Sequence, residues 1–334
     1  MTHRERIRAI IAGDPVDRCG FWLGHPHAEL WPLLHRHFGT RTEAELRHLL
    51  QDEFVLLSAE YRGAAYDGPE AAIFFDILNP PVKPPLADCT DIAELNDFPW
   101  PVAGKLSIAP VMAALQDAGD VYRCSGTWCP FFHVMVNLFG MESYLISMYE
   151  QPELIHAATD RVCQFYYAAN ERVFAAAGSL MDGFFFGNDF GTQADLICSP
   201  QHFDEFMLPW TRQFAAQGHR HGYQVLMHSC GSIYKVVERL IDAGIDCLHP
   251  LQARAAGMDA ATLAREFKGR VAFMGGLDAQ ELMPHASPAA VHAEVRRLKT
   301  LLGPQLIVSP SHETLQRDVP PANVQAMAEA ARAD

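Results

Sequence analysis

The sequence lacks the features of several large protein classes. Only 20% of its 334 residues are charged, and 26 lysines and arginines stand against 40 acidic residues, a formal net charge of −14. Nucleic acid and anionic membrane surfaces attract basic proteins, so we expect neither as a partner. No stretch approaches the ~18 consecutive apolar residues of a membrane span. The charged first residues, "MTHRERIRAII", do not resemble a signal peptide.

Closely spaced cysteine pairs are also missing. The eight cysteines are scattered and form no CxxC pair, unlike the disulfide framework of a small secreted protein. We therefore expect reduced thiols and a cytoplasmic location. No GxGxxG motif follows the first apolar run, which weakens the case for a dinucleotide-binding open sheet.

The sequence is rich in short apolar runs that alternate with segments of helical periodicity. Predicted strands cover residues 19–23, 72–78, 121–127, 181–187, 223–228, 247–251, 271–274 and 306–309. Such alternation requires a parallel sheet with helical crossovers, and eight strands favour a closed barrel. Thr2 and Glu5 form a capping box before the first strand. The sequence thus predicts one α/β domain over residues 1–334, a (β/α)8 TIM barrel with an N-terminal helical extension.

The segment "LMHSCG" places His228 and Cys230 where the fifth predicted strand ends. On an extended backbone, side chains two residues apart point to the same side, here toward the rim where barrel enzymes carry their chemistry. Imidazole and thiolate are zinc ligands, and a catalytic zinc needs a third protein ligand. The best candidate is His312, with Glu313 and Asp189 as weaker ones. The alternative is that His228 caps a backbone carbonyl and Cys230 is a packed thiol.

Other polar and aromatic side chains follow predicted strands. Catalytic residues are predicted at Asp76 and Asp189, and substrate-binding residues at His25, Trp128, Asn188, Gln252 and Asp278. Turn formation or helix capping would explain each of them taken singly. Asp278 in particular would cap the helix that follows it. Together they predict a polar, aromatic-lined barrel mouth.

Several segments, in order over nearly the whole chain, resemble the uroporphyrinogen decarboxylase superfamily. They are "RERIRAIIAGDPVDR", "MHSCG", "FMGGLDAQELMPHASPAAVHAEV" and "DVPPANVQAMAEA". The resemblance implies a single (β/α)8 barrel. In the decarboxylase branch, which uses no metal, it implies an aspartate, matched by Asp76 in "FFDIL", and an arginine-bearing loop after the first strand. That loop here reads "FWLGHPHAEL" and has no arginine.

The other branch contains methyltransferases that carry zinc on an HxC pair and a late cysteine. His228 and Cys230 match the pair, whereas "SPSHE" stands near the place of the cysteine, so His312 would supply a nitrogen instead. The resemblance implies a zinc ion, a small-molecule substrate and a methylcorrinoid carried by a partner protein. We therefore predict a zinc-dependent corrinoid methyltransferase. A cofactor-free decarboxylase, of uroporphyrinogen or another acid, and a non-catalytic binding barrel are the alternatives. The oligomeric state stays open, a homodimer included.

Overall fold

The computed structural model describes residues 1–58, 71–76 and 81–333. Its centre is one sheet of eight parallel strands, ordered β1-β8-β7-β6-β5-β4-β3-β2. The strands are β1 Gly20–Phe21, β2 Phe54–Ser58, β3 Tyr122–Gly126, β4 Gly183–Gly187, β5 Gln224–His228, β6 Cys247–Leu251, β7 Ala272–Leu277 and β8 Leu306–Pro310. The predicted (β/α)8 barrel is confirmed.

Helices surround the sheet and connect its strands. They are α1 His3–Ala12, α2 Trp31–Phe38, α3 Glu43–Leu50, α4 Ala71–Phe75, α5 Ala109–Asp117, α6 Phe131–Phe139, α7 Met141–Glu150, α8 Pro152–Ala177, α9 Pro200–His202, α10 Leu208–Arg220, α11 Val237–Asp242, α12 Ala260–Phe267, α13 Leu282–His285, α14 Pro288–Leu302 and α15 Pro321–Arg332. Within the described ranges, none of the helices combines the length and the apolar character that crossing a membrane requires.

Helix α1 forms the predicted N-terminal extension and closes one end of the barrel. Thr2 and Glu5 make the expected capping box at its start. Its isoleucines, Ile7, Ile10 and Ile11, belong to the same buried cluster as the side chains that fill the barrel interior. Those interior side chains include Phe54, Tyr122, Phe185, Leu226, Met274 and Ile307. The end that α1 covers is the amino-terminal end of the strands, so the opposite rim is the open mouth.

The barrel closes between β1 and β2 through a buried carboxylate. The Glu53 amide donates to Phe21 O at 3.1 Å, and the Phe21 amide donates to Glu53 Oε2 at 2.9 Å. Arg6 of α1 and Arg18 also donate to the Glu53 carboxylate. Because the Glu53 side chain is fully buried, these two arginines supply the positive charge that a buried carboxylate needs. The seam, where β1 meets β2, is therefore linked to the N-terminal helix α1 through the Glu53 carboxylate.

The predicted second strand is wrong. Strand β2 is Phe54–Ser58, whereas predicted residues 72–78 overlap helix α4, Ala71–Phe75, and residues 77 and 78 lie outside the described residues. A short apolar run fits a strand and a buried helical turn equally well, which explains the error. Asp76 consequently follows a helix rather than a barrel strand, and it is exposed. Its catalytic role stays a prediction.

Candidate functional site

Three neighbouring strand ends, those of β4, β5 and β6, surround the predicted metal ligand His228. The barrel register pairs Gly187 of β4 with His228 of β5, and His228 with His249 of β6. A Cβ atom at Gly187 would lie 2.6 Å from the Trp128 ring and 2.7 Å from His228 Cβ. Glycine at this position therefore lets Trp128 pack against His228, with ring centroids 5.3 Å apart. The imidazole of His228 is held between a tryptophan and a second histidine.

The two ring nitrogens of His228 face two different sets of ligand-type atoms. Nε2 lies 3.3 Å from Cys230 Sγ and 3.2 Å from Asp189 Oδ1. Nδ1 lies 3.0 Å from His249 Nδ1 and 3.6 Å from Glu313 Oε2. In each set all ligand atoms lie within 4.8 Å of one another. The site thus offers sulfur, nitrogen and oxygen donors around one buried imidazole.

The loop that carries Cys230 is fixed by its neighbours. The Cys230 amide donates to Asp189 Oδ1 at 2.9 Å, and the Gly231 amide donates to Gln252 Oε1. Gly231 has φ +84°, and a Cβ atom there would overlap the carbonyl group of Gly191. Only glycine fits this combination of left-handed backbone and close approach. The thiol is therefore presented from a backbone with a fixed position.

His312, the predicted third ligand, reaches the thiol from the loop after β8. Its side chain is 43% exposed, and Nδ1 accepts a hydrogen bond from the Thr314 amide at 3.1 Å. A hydrogen bond with Cys230 raises the pKa of His312, although partial burial opposes the shift. Among the described residues, Asp189 rather than His312 completes the compact set with His228 and Cys230. His312 therefore lies near the Cys230 thiol but is not part of the compact set formed by Asp189, His228 and Cys230.

Electrostatics at His228 favour a positive charge. Burial alone would lower its pKa, but the negative charges of Glu313 and Cys230 and the hydrogen bond to Asp189 raise the pKa well above the usual value. Burial likewise works to raise the pKa of Asp189, but His228 and His133 outweigh it and the pKa is lowered. The pKa of His249 is lowered by burial and by its histidine neighbours. The surroundings therefore stabilise one cation beside Cys230.

A small cavity of about 30 Å³ lies next to the imidazole of His228. Its walls are Trp22, His25, Leu56, Trp128, Phe185, His228, His249 and Glu313. Two of the predicted substrate-binding residues, His25 and Trp128, thus lie in the same wall as a predicted metal ligand. The cavity is apolar on the side of the barrel interior and polar on the side of the histidines.

Residues 76–333 match the sequence model of a family described as Uroporphyrinogen decarboxylase (URO-D). The chain belongs to the URO-D family. Among solved structures, a methyltransferase from Methanosarcina mazei has a similar fold, with a TM-score of 0.63 at 16% sequence identity. The similarity covers 99% of this chain and 98% of that one. No curated protein that was compared matches the chain.

The remaining predicted residues of this URO-D family chain make structural contacts. Asn188 accepts from the Phe132 amide at 2.8 Å and donates to Cys129 O at 3.1 Å, which holds the start of α6. Asp278 accepts from the Gln280 amide at 2.9 Å and from the Leu282 amide at 3.4 Å in the turn before α13, but the N-cap residue of that helix is Glu281. Substrate binding by Asn188, Gln252 and Asp278 stays a prediction.

Two residues of the site, His249 and His133, are not among the catalytic, substrate-binding or metal-binding residues predicted from the sequence. His249 lies inside β6, and His133 of α6 accepts from the Asp189 amide at 3.1 Å. For His249 a signal exists in "CLHPL", where a histidine interrupts an otherwise apolar strand. For His133 we see none, because its approach to Asp189 depends on how α6 packs over the barrel rim.

Proposed function

We propose that the chain is a zinc-dependent methyltransferase that moves a methyl group between a corrinoid, carried by a partner protein, and a small substrate. The observation that carries the proposal is the meeting of Cys230 with His228, Asp189 and His312 at the mouth of the barrel. Membership of the URO-D family agrees with an enzyme of this kind. A cytoplasmic location belongs to the same proposal.

The residues present fit a zinc ion. Zinc takes thiolate sulfur, imidazole nitrogen and carboxylate oxygen, and catalytic sites use three protein ligands and one open position. His228 Nε2, Cys230 Sγ and His312 would hold it, with Asp189 as the alternative third ligand. The negative surroundings that raise the pKa of His228 would equally attract a divalent cation. When bound, zinc would lower the pKa of a substrate thiol so that a thiolate is present at neutral pH.

The protein's own residues would hold this site in place. Asp189 fixes the loop by accepting a hydrogen bond from the Cys230 amide at 2.9 Å. Trp128 packs against the His228 ring, with ring centroids 5.3 Å apart, and contributes to its burial. Cys230 is partly exposed and His228 is buried, so the outer side of the site faces the mouth. A partner carrying a corrinoid would approach from that side.

The decarboxylase alternative has less support. Asp76 follows helix α4 and is exposed. None of the eight described residues that line the cavity is lysine or arginine. A substrate with several carboxylates needs cationic partners of that kind.

Replacement of Cys230 by serine tests the proposal. We expect purified, tag-free protein to hold about one zinc ion per chain, and C230S to bind zinc about two orders of magnitude more weakly because a thiolate ligand is lost. Zinc content is measured by mass spectrometry after titration with a competing chelator. The same preparations are assayed for methyl transfer from methylcobalamin to a thiol. C198S is the matched control, since Cys198 is also partly buried but is not in the site.

Two results would contradict the proposal. One is wild-type protein that stays active after complete removal of zinc. The other is C230S protein that keeps its zinc affinity. A parallel comparison of H312A with D189N identifies the third ligand, because only the variant that loses a ligand should release zinc more easily than wild type. If neither variant does, the assignment of the third ligand is wrong.

A further inference from the structure

Two buried polar atoms beside His228 have no hydrogen-bond partner among the described residues. They are His249 Nε2 and Glu313 Oε2, and both side chains line the small cavity. His249 is only 1% exposed, and Glu313 Oε2 lies 3.6 Å from the nearest nitrogen of His228. Buried polar groups in folded proteins are normally paired by protein, water or ligand. The two atoms therefore indicate a site for a small polar group.

The hydrogen positions on the two histidines follow from their contacts. His228 Nδ1 lies between His249 Nδ1, at 3.0 Å, and the Glu313 carboxylate, at 3.6 Å, so this nitrogen carries a hydrogen. That hydrogen points to His249 Nδ1 at 3.0 Å, so the neutral His249 ring carries its own hydrogen on Nε2. The cavity then presents one donor, His249 Nε2–H, and one acceptor, the carboxylate oxygen of Glu313.

Only some chemical groups satisfy both atoms. An ammonium group donates but cannot accept from His249, and a sulfonate or carboxylate accepts but cannot donate to Glu313. A hydroxyl group does both. A cavity of about 30 Å³ has room for roughly two water-sized groups, which matches a terminal –CH2OH. The apolar walls formed by Trp22, Leu56 and Phe185 suit the methylene carbon.

We propose that this cavity is the subsite for the terminal hydroxyl group of a short, uncharged substrate, with His249 donating to it and Glu313 accepting from it. The substrate class is then a small hydroxyl-bearing thiol rather than an anionic thiol. The choice of a thiol rests on the proposed methyltransferase function, whereas the hydroxyl subsite rests on the cavity alone.

Three thiols of similar length separate the alternatives. They are 2-mercaptoethanol, ethanethiol and 2-mercaptoethanesulfonate, each used as methyl acceptor from methylcobalamin with zinc-loaded enzyme. We expect kcat/KM for 2-mercaptoethanol to exceed that for each of the others at least about tenfold, because a site built for a hydroxyl rejects an analogue that lacks it. Equal values for the three thiols would overturn the proposal.

Variants assign the selectivity to the two residues. H249F should abolish the preference for 2-mercaptoethanol over ethanethiol, mainly through a higher KM for 2-mercaptoethanol. H249Q, whose amide can both accept from His228 and donate into the cavity, should restore part of it. E313Q should admit the sulfonate more readily because it removes a negative charge. H285F, at an exposed histidine outside the cavity, is the control and should keep all preferences. Loss of zinc from E313Q would make Glu313 a metal ligand and would also overturn the proposal.

A binding measurement separates failure of the subsite from failure of the methyltransferase function. Ethanol is the probe, observed by ligand-detected NMR with zinc-loaded and with metal-free protein. Wild type should bind ethanol at millimolar concentration and H249F should bind it at least about tenfold more weakly. If no thiol is methylated but ethanol binding depends on His249, the function is wrong and the subsite stands. If ethanol does not bind wild type, the cavity holds water only and the subsite is wrong.

Discussion

Replacement of Glu53 by glutamine should destabilise the barrel strongly, because it removes a buried charge from between two arginines. The Glu53 carboxylate is fully buried, and the side chains of Arg6 and Arg18 are 6% and 13% exposed. It accepts from the Phe21 amide at 2.9 Å, from Arg18 at 3.0 and 3.1 Å, and from Arg6. Solvent screening is therefore small.

The size of the effect follows from what the variant leaves behind. Removing one partner of a buried ion pair costs about 3–5 kcal/mol, since the remaining charge stays buried. Here Asp17 still pairs with Arg6, with its oxygens 2.6 and 2.7 Å from the guanidinium. That remaining pair reduces the loss, so we expect about 3 kcal/mol for E53Q, at the low end of the range for buried pairs.

Equilibrium unfolding in urea, followed by circular dichroism and checked for reversibility, measures this difference. E238Q is the matched control, because Glu238 pairs with Arg270 at 3.2 Å on the surface, with side chains 64% and 41% exposed. Such pairs contribute about 0–1 kcal/mol. If E53Q and E238Q differ by less than about 1 kcal/mol, the buried carboxylate does not hold the seam between β1 and β2, and the reasoning is refuted.

Three further predictions follow from other parts of the molecule. In I7A, a variant of the helix that closes the barrel, the free energy of unfolding should fall by roughly 2–5 kcal/mol. The variant should keep its zinc affinity, since Ile7 is buried at the end of the barrel opposite the site. Loss of zinc would show that the two ends are coupled. G231A should fold but bind zinc weakly, because its Cβ would overlap the Gly191 carbonyl; full zinc affinity would contradict the fixed loop. The hydrogen bond to Asp246 raises the pKa of His219, so its stabilisation is present below the unfolded pKa of about 6.5 and is lost as pH rises through the folded value. Urea unfolding at pH 6 and pH 8 should show this loss, under about 1 kcal/mol for a partly exposed pair, in wild type and not in H219Q; equal losses in both would disprove it.

The positions of the later strands could be predicted from the sequence, but the position of the second strand could not. The runs at β4 and β7, "GFFFG" and "AFMGGL", are continuous and apolar, as strands buried on both faces must be. The true second strand, "FVLLS", follows directly on helix α3 and its apolar residues continue the helical pattern of "EAELRHLL". "AAIFFDIL" has the composition of a strand but forms a single helical turn over Ala71–Phe75. Local pattern cannot decide between such runs; the packing of the whole barrel does.

Within the site, the sequence predicts only the relative orientation of side chains that lie on the same strand. His228 and Cys230 share a side because their spacing is two residues. The distance from Cys230 to Asp189 or to His312 depends on the paths of separate loops, which no local spacing reports. For the same reason the partnership of His249 with Glu313 could not be read from "CLHPL" and "SPSHE", although each residue is visible there. Contacts between strands require the register of the closed sheet.

Helix α1 has a consequence for the order of events during turnover. It fills the amino-terminal end of the barrel with Ile7, Ile10 and Ile11, so substrates enter the cavity and products leave it through the mouth. In the proposed reaction the small substrate and the partner protein that carries the corrinoid would both use this mouth. A bulky domain seated there would shut the small molecule out. The kinetics should then be of the compulsory-order type, with the thiol entering first and its methylated product leaving only after the partner has departed.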